Sequence, residues 1–111
     1  MTEAKLQVEC YTWVHNNYPE LRGLICYNLN NSRNKIDGNL NRSMGLQKGR
    51  SDMVLYGHCT ARFIELKLPG EKQTTEQKQW QAKIESHGFE YYVIETLEQF
   101  KHHVIQFYNL M

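Results

Sequence analysis

The chain has 111 residues, 41% of them hydrophobic, with 13 Lys and Arg against 12 Asp and Glu. That length makes a single domain, 1–111, able to bury roughly 60–70% of its unfolded surface without a disulfide framework or structural metal. A mean hydropathy of −0.67 with no long apolar run excludes a transmembrane span, and a net charge of +1 argues against coating a polyanion by bulk electrostatics.

Thr2 is placed to N-cap a first helix in which Leu6, Cys10, Trp13 and Val14 recur at helical spacing, and Pro19 ends it. The start, Met1-Thr2-Glu3-Ala4-Lys5, lacks the basic-then-apolar pattern of a signal peptide. Leu24-Ile25-Cys26-Tyr27 reads as a short buried strand and Asn30-Asn31-Ser32 as a turn. Ile36, Leu40 and Met44 then suggest a weak helix, interrupted by Gly38 and capped by Gly45. Asp52 to Tyr56 and Ala61 to Leu68 are strand-like and joined by Gly57-His58-Cys59-Thr60, which predicts a hairpin.

Pro69-Gly70 breaks the second strand of that hairpin. Thr74-x-x-Gln77 is a capping box opening a helix with Trp80 and Ile84 on one face and Gly88 beyond its end. Phe89 to Ile94 is a hydrophobic strand. Thr96-x-x-Gln99 opens a last helix with Leu97, Phe100, Val104 and Phe107 on its buried side. The expected class is therefore α/β: helices flanking a mixed central sheet, in the order α-β-(α)-β-β-α-β-α.

Charge is unevenly spread. Residues 22–52 hold six bases against two acids, a net +4, and include Asn28, Asn30, Asn31, Asn34, Asn39 and Asn41. A solvated loop is the plain reading of such a segment, and an arm contacting phosphates and base edges the sharper one. Three cysteines (Cys10, Cys26 and Cys59) with no CxxC suit a reducing cytosol. Cys10 and Cys26 read as core, and so do Trp13, Trp80, Phe100 and Phe107. His58-Cys59 and His102-His103 lack zinc-ligand spacing, so packed or surface His and a buried Cys are the expectation there. The faces of Tyr27, Tyr91 and Tyr92 are not assignable from the strand pattern.

The informative segment runs from Gly49 to Lys67. Strand periodicity places Glu65 and Lys67 on one face and Ile64, Leu66 and Leu68 on the other. Unpaired charges are too costly for a core, so an acid and a base in an apolar strand form either a site or a salt bridge. The hairpin brings Asp52 towards Glu65, and two carboxylates at one point repel unless a cation lies between them. Mg²⁺ takes one or two carboxylates plus phosphate and water, and Lys67 beside it is placed to orient water and offset charge on phosphorus. The implied chemistry is metal-assisted phosphodiester hydrolysis. Were Glu65 and Lys67 only an ion pair, removing either would destabilise the fold, whereas in a crowded charged site removal relieves strain.

Ser51-Asp52, twelve residues, then Glu65-Leu66-Lys67 resembles the PD-(D/E)xK nuclease signature. More specifically the chain resembles the virus-type replication-repair nuclease (VRR-NUC) domain in its stand-alone form. Glu3-x-x-Leu6-Gln7, Asn30-Asn31 followed by Arg33, and Met44-Gly45-x-x-x-Gly49-x-Ser51-Asp52 carry the first part of that resemblance. Phe63-Ile64-Glu65-Leu66-Lys67, Gln77-x-x-Trp80 and Gly88-Phe89 carry the rest.

The resemblance implies a restriction-endonuclease-like αβββαβ core, with the short helix after the first strand and the C-terminal helix as additions. It implies Mg²⁺, or Mn²⁺, on Asp52, Glu65 and the Leu66 carbonyl, with Lys67 as the catalytic lysine and Glu3 as an outer contact. Gln77 matches a family glutamine that approaches the site, although a capping role beside Thr74 explains it equally well. Lys48 and Arg50 lie where the scissile backbone must run if Asp52 holds the metal, with Arg33, Lys35 and Arg42 as weaker DNA contacts. Also implied are a branched or structured DNA substrate in replication, repair or recombination and a homodimer; apart from the resemblance, no membrane, no organic cofactor and a cytoplasmic protein of bacterial, phage or mobile-element origin are expected. The rival is an inactive DNA-binding module that keeps the nuclease fold. Two departures stand out: Ser51 where proline is usual, a change expected to loosen the loop, and Asn31-Ser32 where relatives often show glycines.

Overall fold

A computed structural model describes residues 1–28, 35–45 and 49–110, without the side chains of residues 35–37. The elements run α1 (Glu3–Asn17), a 3₁₀ turn at Pro19–Leu21, β1 (Ile25–Tyr27), α2 (Lys35–Ser43), β2 (Met53–Gly57), β3 (Thr60–Leu66), α3 (Thr75–Ser86), β4 (Glu90–Ile94) and α4 (Leu97–Phe107). The expected order holds. The sheet is mixed, in the order β1-β2-β3-β4, antiparallel except where β4 lies parallel to β3 after the α3 crossover.

Local chemistry sets the boundaries. Thr2 accepts from the Lys5 N–H at 3.1 Å to start α1, and Thr74 and Gln77 form a full capping box at α3. At the end of α3, the Gly88 N–H reaches the Glu85 carbonyl and the Phe89 N–H reaches Ile84, a Schellman closure that Gly88 permits at φ +88°. His58 and Cys59 form the two-residue hairpin loop with φ of 54° and 60°, the left-handed pair that matches strand twist.

Period-two alternation sorts the strands between two faces. Ile25, Met53, Leu55, Ile64, Leu66 and Ile94 point into the main core, where they meet Leu6, Cys10 and Val14 of α1 and Phe100, Val104 and Phe107 of α4. The opposite face is covered through Trp80 of α3, whose ring meets Phe63 at 5.3 Å and Tyr91 at 5.8 Å. Beside the core, buried Arg62 donates to Glu90 Oε2 at 2.9 Å and Gln106 Oε1 at 3.0 Å and stacks on Tyr92 and Phe107.

Some packing expectations change. β1 is an edge strand, so Leu24 and Tyr27 are exposed and Cys26 is half-buried rather than core. Cys59 is exposed because it occupies the hairpin tip. Trp13 and Trp80 are half-buried, and α3 buries no residue fully. Leu40 of α2 and Met44 just beyond its end are 57% and 69% exposed, so these apolar side chains face outward. The Asn30-Asn31-Ser32 turn lies outside the described residues. Among the described residues no helix is long and apolar enough to cross a membrane.

Candidate metal-assisted active site

The site forms where the hairpin meets the sheet's second face. Carrying the β2–β3 register one step past its last pair, Met53 with Ile64, sets Asp52 opposite Glu65. Asp52 Oδ2 accepts the Leu66 N–H at 2.7 Å, which orients its carboxylate along the end of β3. Burial raises its pKa and the Glu65 charge adds to the rise, while the Leu66 N–H and Lys67 pull the other way.

Glu65 is 0% exposed. Its Oε1 accepts from the Tyr91 hydroxyl at 2.6 Å and from Gln73 Nε2 at 2.9 Å. Its Oε2 has no hydrogen-bond partner, and Lys67 Nζ stands 4.0 Å from it. A buried carboxylate oxygen left without a donor is costly, so the arrangement leaves one oxygen for a ligand.

Lys67, 7% exposed, follows directly on β3 and is anchored by its N–H to the Ile94 carbonyl at 3.0 Å. Besides Glu65 it acts on Asp52, Glu3 and Glu71. Glu3, at the N-terminus of α1, has its pKa pushed up to about 7 by desolvation, by a hydrogen bond to Glu71 and by the charges of Glu71 and Asp52. Glu71 stays low because the Leu68 N–H donates to it at 2.6 Å, so the shared proton resides on Glu3. One lysine thus faces four carboxylates.

The loop before Asp52 is tied down. Ser51 is fully buried and donates to the Met53 carbonyl at 3.2 Å, while Asn28 holds the Ser51 carbonyl by its side chain and the Asp52 carbonyl by its N–H. These bonds tie the loop at the position where proline is usual. Gly49, at φ +84°, lies so near α3 that a Cβ there would sit 2.6 Å from the Glu76 carbonyl carbon. A groove of about 630 Å³ opens beside the site, lined by Glu3, Gln7, Val8, Tyr11, Tyr27 and Asp52 among others.

A family model of the VRR-NUC domain matches residues 2–96. The chain belongs to the VRR-NUC domain family. Among solved structures, a protein described as a VRR_NUC domain protein shares the fold at a TM-score of 0.80, covering 99% of this chain and 90% of that one at 18% identity. No curated protein matches the chain. The family brings with it a nuclease-type fold, and α4 lies beyond the matched stretch.

In this VRR-NUC domain the residues of the Asp-Glu-Lys signature meet, with Glu3 beside them. Gln77 serves the helix cap instead: its Oε1 accepts the Thr74 N–H at 2.8 Å in the capping box. Among the described residues the glutamine that touches Glu65 is Gln73, four residues earlier. Arg50 is half-buried in the turn after Gly49, and Arg42 is exposed on α2, bonded to Asn39. Lys48 and Arg33 lie outside the described residues, as does the side chain of Lys35.

Sequence reasoning passed over Gln73, Glu71 and the placement of Tyr91. Glu71 follows a Pro-Gly break and Gln73 precedes a helix cap, positions that look like loop filler. For Tyr91 the signal lies only in strand register, since β4 pairs it with Phe63, two residues before Glu65 on the same face.

Among the described residues no three His, Cys, Asp or Glu side chains converge as a metal cluster. Two carboxylates, a main-chain carbonyl, water and substrate phosphate suffice for Mg²⁺, which rarely uses an all-protein cage. The unpartnered Oε2 of Glu65 and the mutual repulsion of Asp52 and Glu65 both fit a divalent cation.

Proposed function

We propose that this protein is a divalent-metal-dependent DNA endonuclease that hydrolyses phosphodiester bonds in branched or structured DNA, as a homodimer. One observation carries the reading: a fully buried Glu65 with one oxygen unpartnered, opposite Asp52 and 4.0 Å from the Lys67 ammonium. Membership of a nuclease-type family supports it.

Asp52, Glu65 and the Leu66 carbonyl would hold Mg²⁺ or Mn²⁺, with Glu3 as an outer contact. When bound, such an ion supplies an acidified water and charge neutralisation at the phosphate. The Lys67 ammonium is held at the rim by carboxylates on several sides, placed to donate to the attacking water or to a phosphate oxygen. Gly49, Ser51 and Asn28 fix the loop that carries Asp52. Arg50, with Lys48, Arg33, Lys35 and Arg42 of the basic segment, supplies phosphate contacts that set the substrate's path. Pairing two copies of a 111-residue chain enlarges the face available to DNA.

The test is an assay on labelled duplex, single-stranded, flap and four-way DNA with Mg²⁺, Mn²⁺ or EDTA. Cleavage that requires metal and vanishes in Asp52→Ala and Lys67→Ala is expected, strongest on branched DNA. Binding without cleavage in every condition makes the protein a DNA-binding module instead, and a monomer in sedimentation at micromolar concentration removes the dimer.

A further inference from the structure

A carboxylate reaches a metal with one oxygen or with two, and its neighbours decide which. Glu65 is surrounded asymmetrically. Oε1 takes two donors, the Tyr91 hydroxyl at 2.6 Å and Gln73 Nε2 at 2.9 Å, while Oε2 takes none.

Both donors are themselves held. Tyr91 is buried on β4 with its ring against Trp80, and β3–β4 pairing fixes its height relative to Glu65. Gln73 sends its second N–H to Gln81 Oε1 on α3 at 2.8 Å, so its amide is gripped from two sides. The three groups come from β4, the loop after β3, and α3. Turning the Glu65 carboxylate to offer both oxygens breaks two hydrogen bonds in a site with no water-exposed alternative.

We propose that Tyr91 and Gln73 are positioning residues that hold Glu65 as a one-oxygen metal ligand and thereby select Mg²⁺ or Mn²⁺ against Ca²⁺. This inference rests on the nuclease reading above. The selectivity follows from ion chemistry: Ca²⁺ accommodates six to eight oxygens and readily takes both oxygens of a carboxylate, whereas the smaller Mg²⁺ demands octahedral geometry. A carboxylate with one oxygen committed elsewhere suits the second demand. Hydrogen bonds of this kind around a ligand commonly change metal affinity by 10–100-fold when removed.

The experiment compares the full-length wild type with Tyr91→Phe and Gln73→Met, measuring Mn²⁺ and Ca²⁺ affinities by calorimetric titration and melting in EDTA. The expected result is about a tenfold loss of Mn²⁺ affinity in each variant, with a smaller loss for Ca²⁺, so that the ratio of the two affinities narrows. A merely structural role predicts lower melting temperatures with that ratio unmoved. Unchanged Mn²⁺ affinity, or equal weakening of both ions, overturns the inference. If Tyr91→Phe fails to fold, Gln73→Met decides, because it alters only a half-buried loop residue. A wild type that neither binds Mn²⁺ nor cleaves DNA removes the nuclease reading itself, whereas a wild type that does both beside unaltered variants removes only the clamp.

Discussion

Replacing Glu65 by Gln and Lys67 by Met should move metal-free stability in opposite directions. Coulomb attraction across 4.0 Å is worth about 4 kcal/mol at an effective dielectric of 20. Withdrawing a carboxylate from water costs several kcal/mol, so the pair is close to balanced. Glu65→Gln gives up the attraction but also the burial cost and the repulsion from Asp52, and it keeps an oxygen to accept from Tyr91 and Gln73. Lys67 retains Asp52, Glu3 and Glu71 as neighbours. The expected change is about 1 kcal/mol of stabilisation, roughly 4 °C in a domain of this size. Lys67→Met, for which the sequence alone suggests relief of strain, instead takes from Glu65, Asp52, Glu3 and Glu71 the base that acts on all four, and Glu65 is fully buried. A loss of about 3 kcal/mol, near 10 °C, follows.

Calorimetric melts of the three proteins in EDTA at pH 7.5 measure both effects. Repeating them with Mn²⁺ at about 100 times its Kd should stabilise the wild type by about 2.7 kcal/mol and Glu65→Gln hardly at all. Equal destabilisation by both substitutions in EDTA, with no response to Mn²⁺, is the behaviour of a plain ion pair and refutes the reasoning.

Gly49→Ala combines a left-handed backbone with a Cβ 2.6 Å from the α3 backbone; about 3 kcal/mol of lost stability in urea unfolding and weaker Mn²⁺ binding are expected, because the Asp52 loop must move. Glu3 titrates near 7 when folded against an ordinary 4.5, so its contribution is complete below pH 4.5 and is lost as pH rises through 7. The full shift corresponds to about 3 kcal/mol, which solvent screening at this half-exposed carboxyl cuts to about 1 kcal/mol. Melts in EDTA should therefore fall between pH 5 and pH 8 and flatten in Glu3→Gln, and a rise over that window contradicts the assignment. Arg62→Ala removes a buried guanidinium from Glu90, Gln106 and His103 and should cost about 3 kcal/mol in urea unfolding while leaving DNA cleavage intact, since Arg62 faces α4 and not the site. Arg62→Lys should recover little, because an ammonium cannot span the same acceptors.

Much of this protein is written locally in its sequence. Helix caps at Thr2, Thr74 and Thr96, the Gly88 stop and the His58-Cys59 hairpin involve atoms within a few residues of one another, where the chain's own stereochemistry sets the outcome. The Asp52, Glu65 and Lys67 constellation was legible for the same reason, since a two-residue hairpin loop fixes which residues of two adjacent strands face each other. Contacts between distant segments were not. Tyr91 reaches Glu65 only because β4 returns parallel to β3 in one register, and a one-residue slip would turn it to the other face. Glu3 meets Glu71 and Lys67 because the main core docks α1 across the sheet's end. The exposure of Leu40 and Met44 likewise depends on what packs against α2, not on its periodicity. Gln77 and Gln73 differ by four residues in a helix-start sequence, yet only tertiary structure gives one to the cap and the other to the buried carboxylate. The sequence thus determined the meeting of Asp52, Glu65 and Lys67 by short-range geometry, and the folded chain determined which oxygen of Glu65 is left without a donor, because its donors arrive from β4 and from the loop leading into α3.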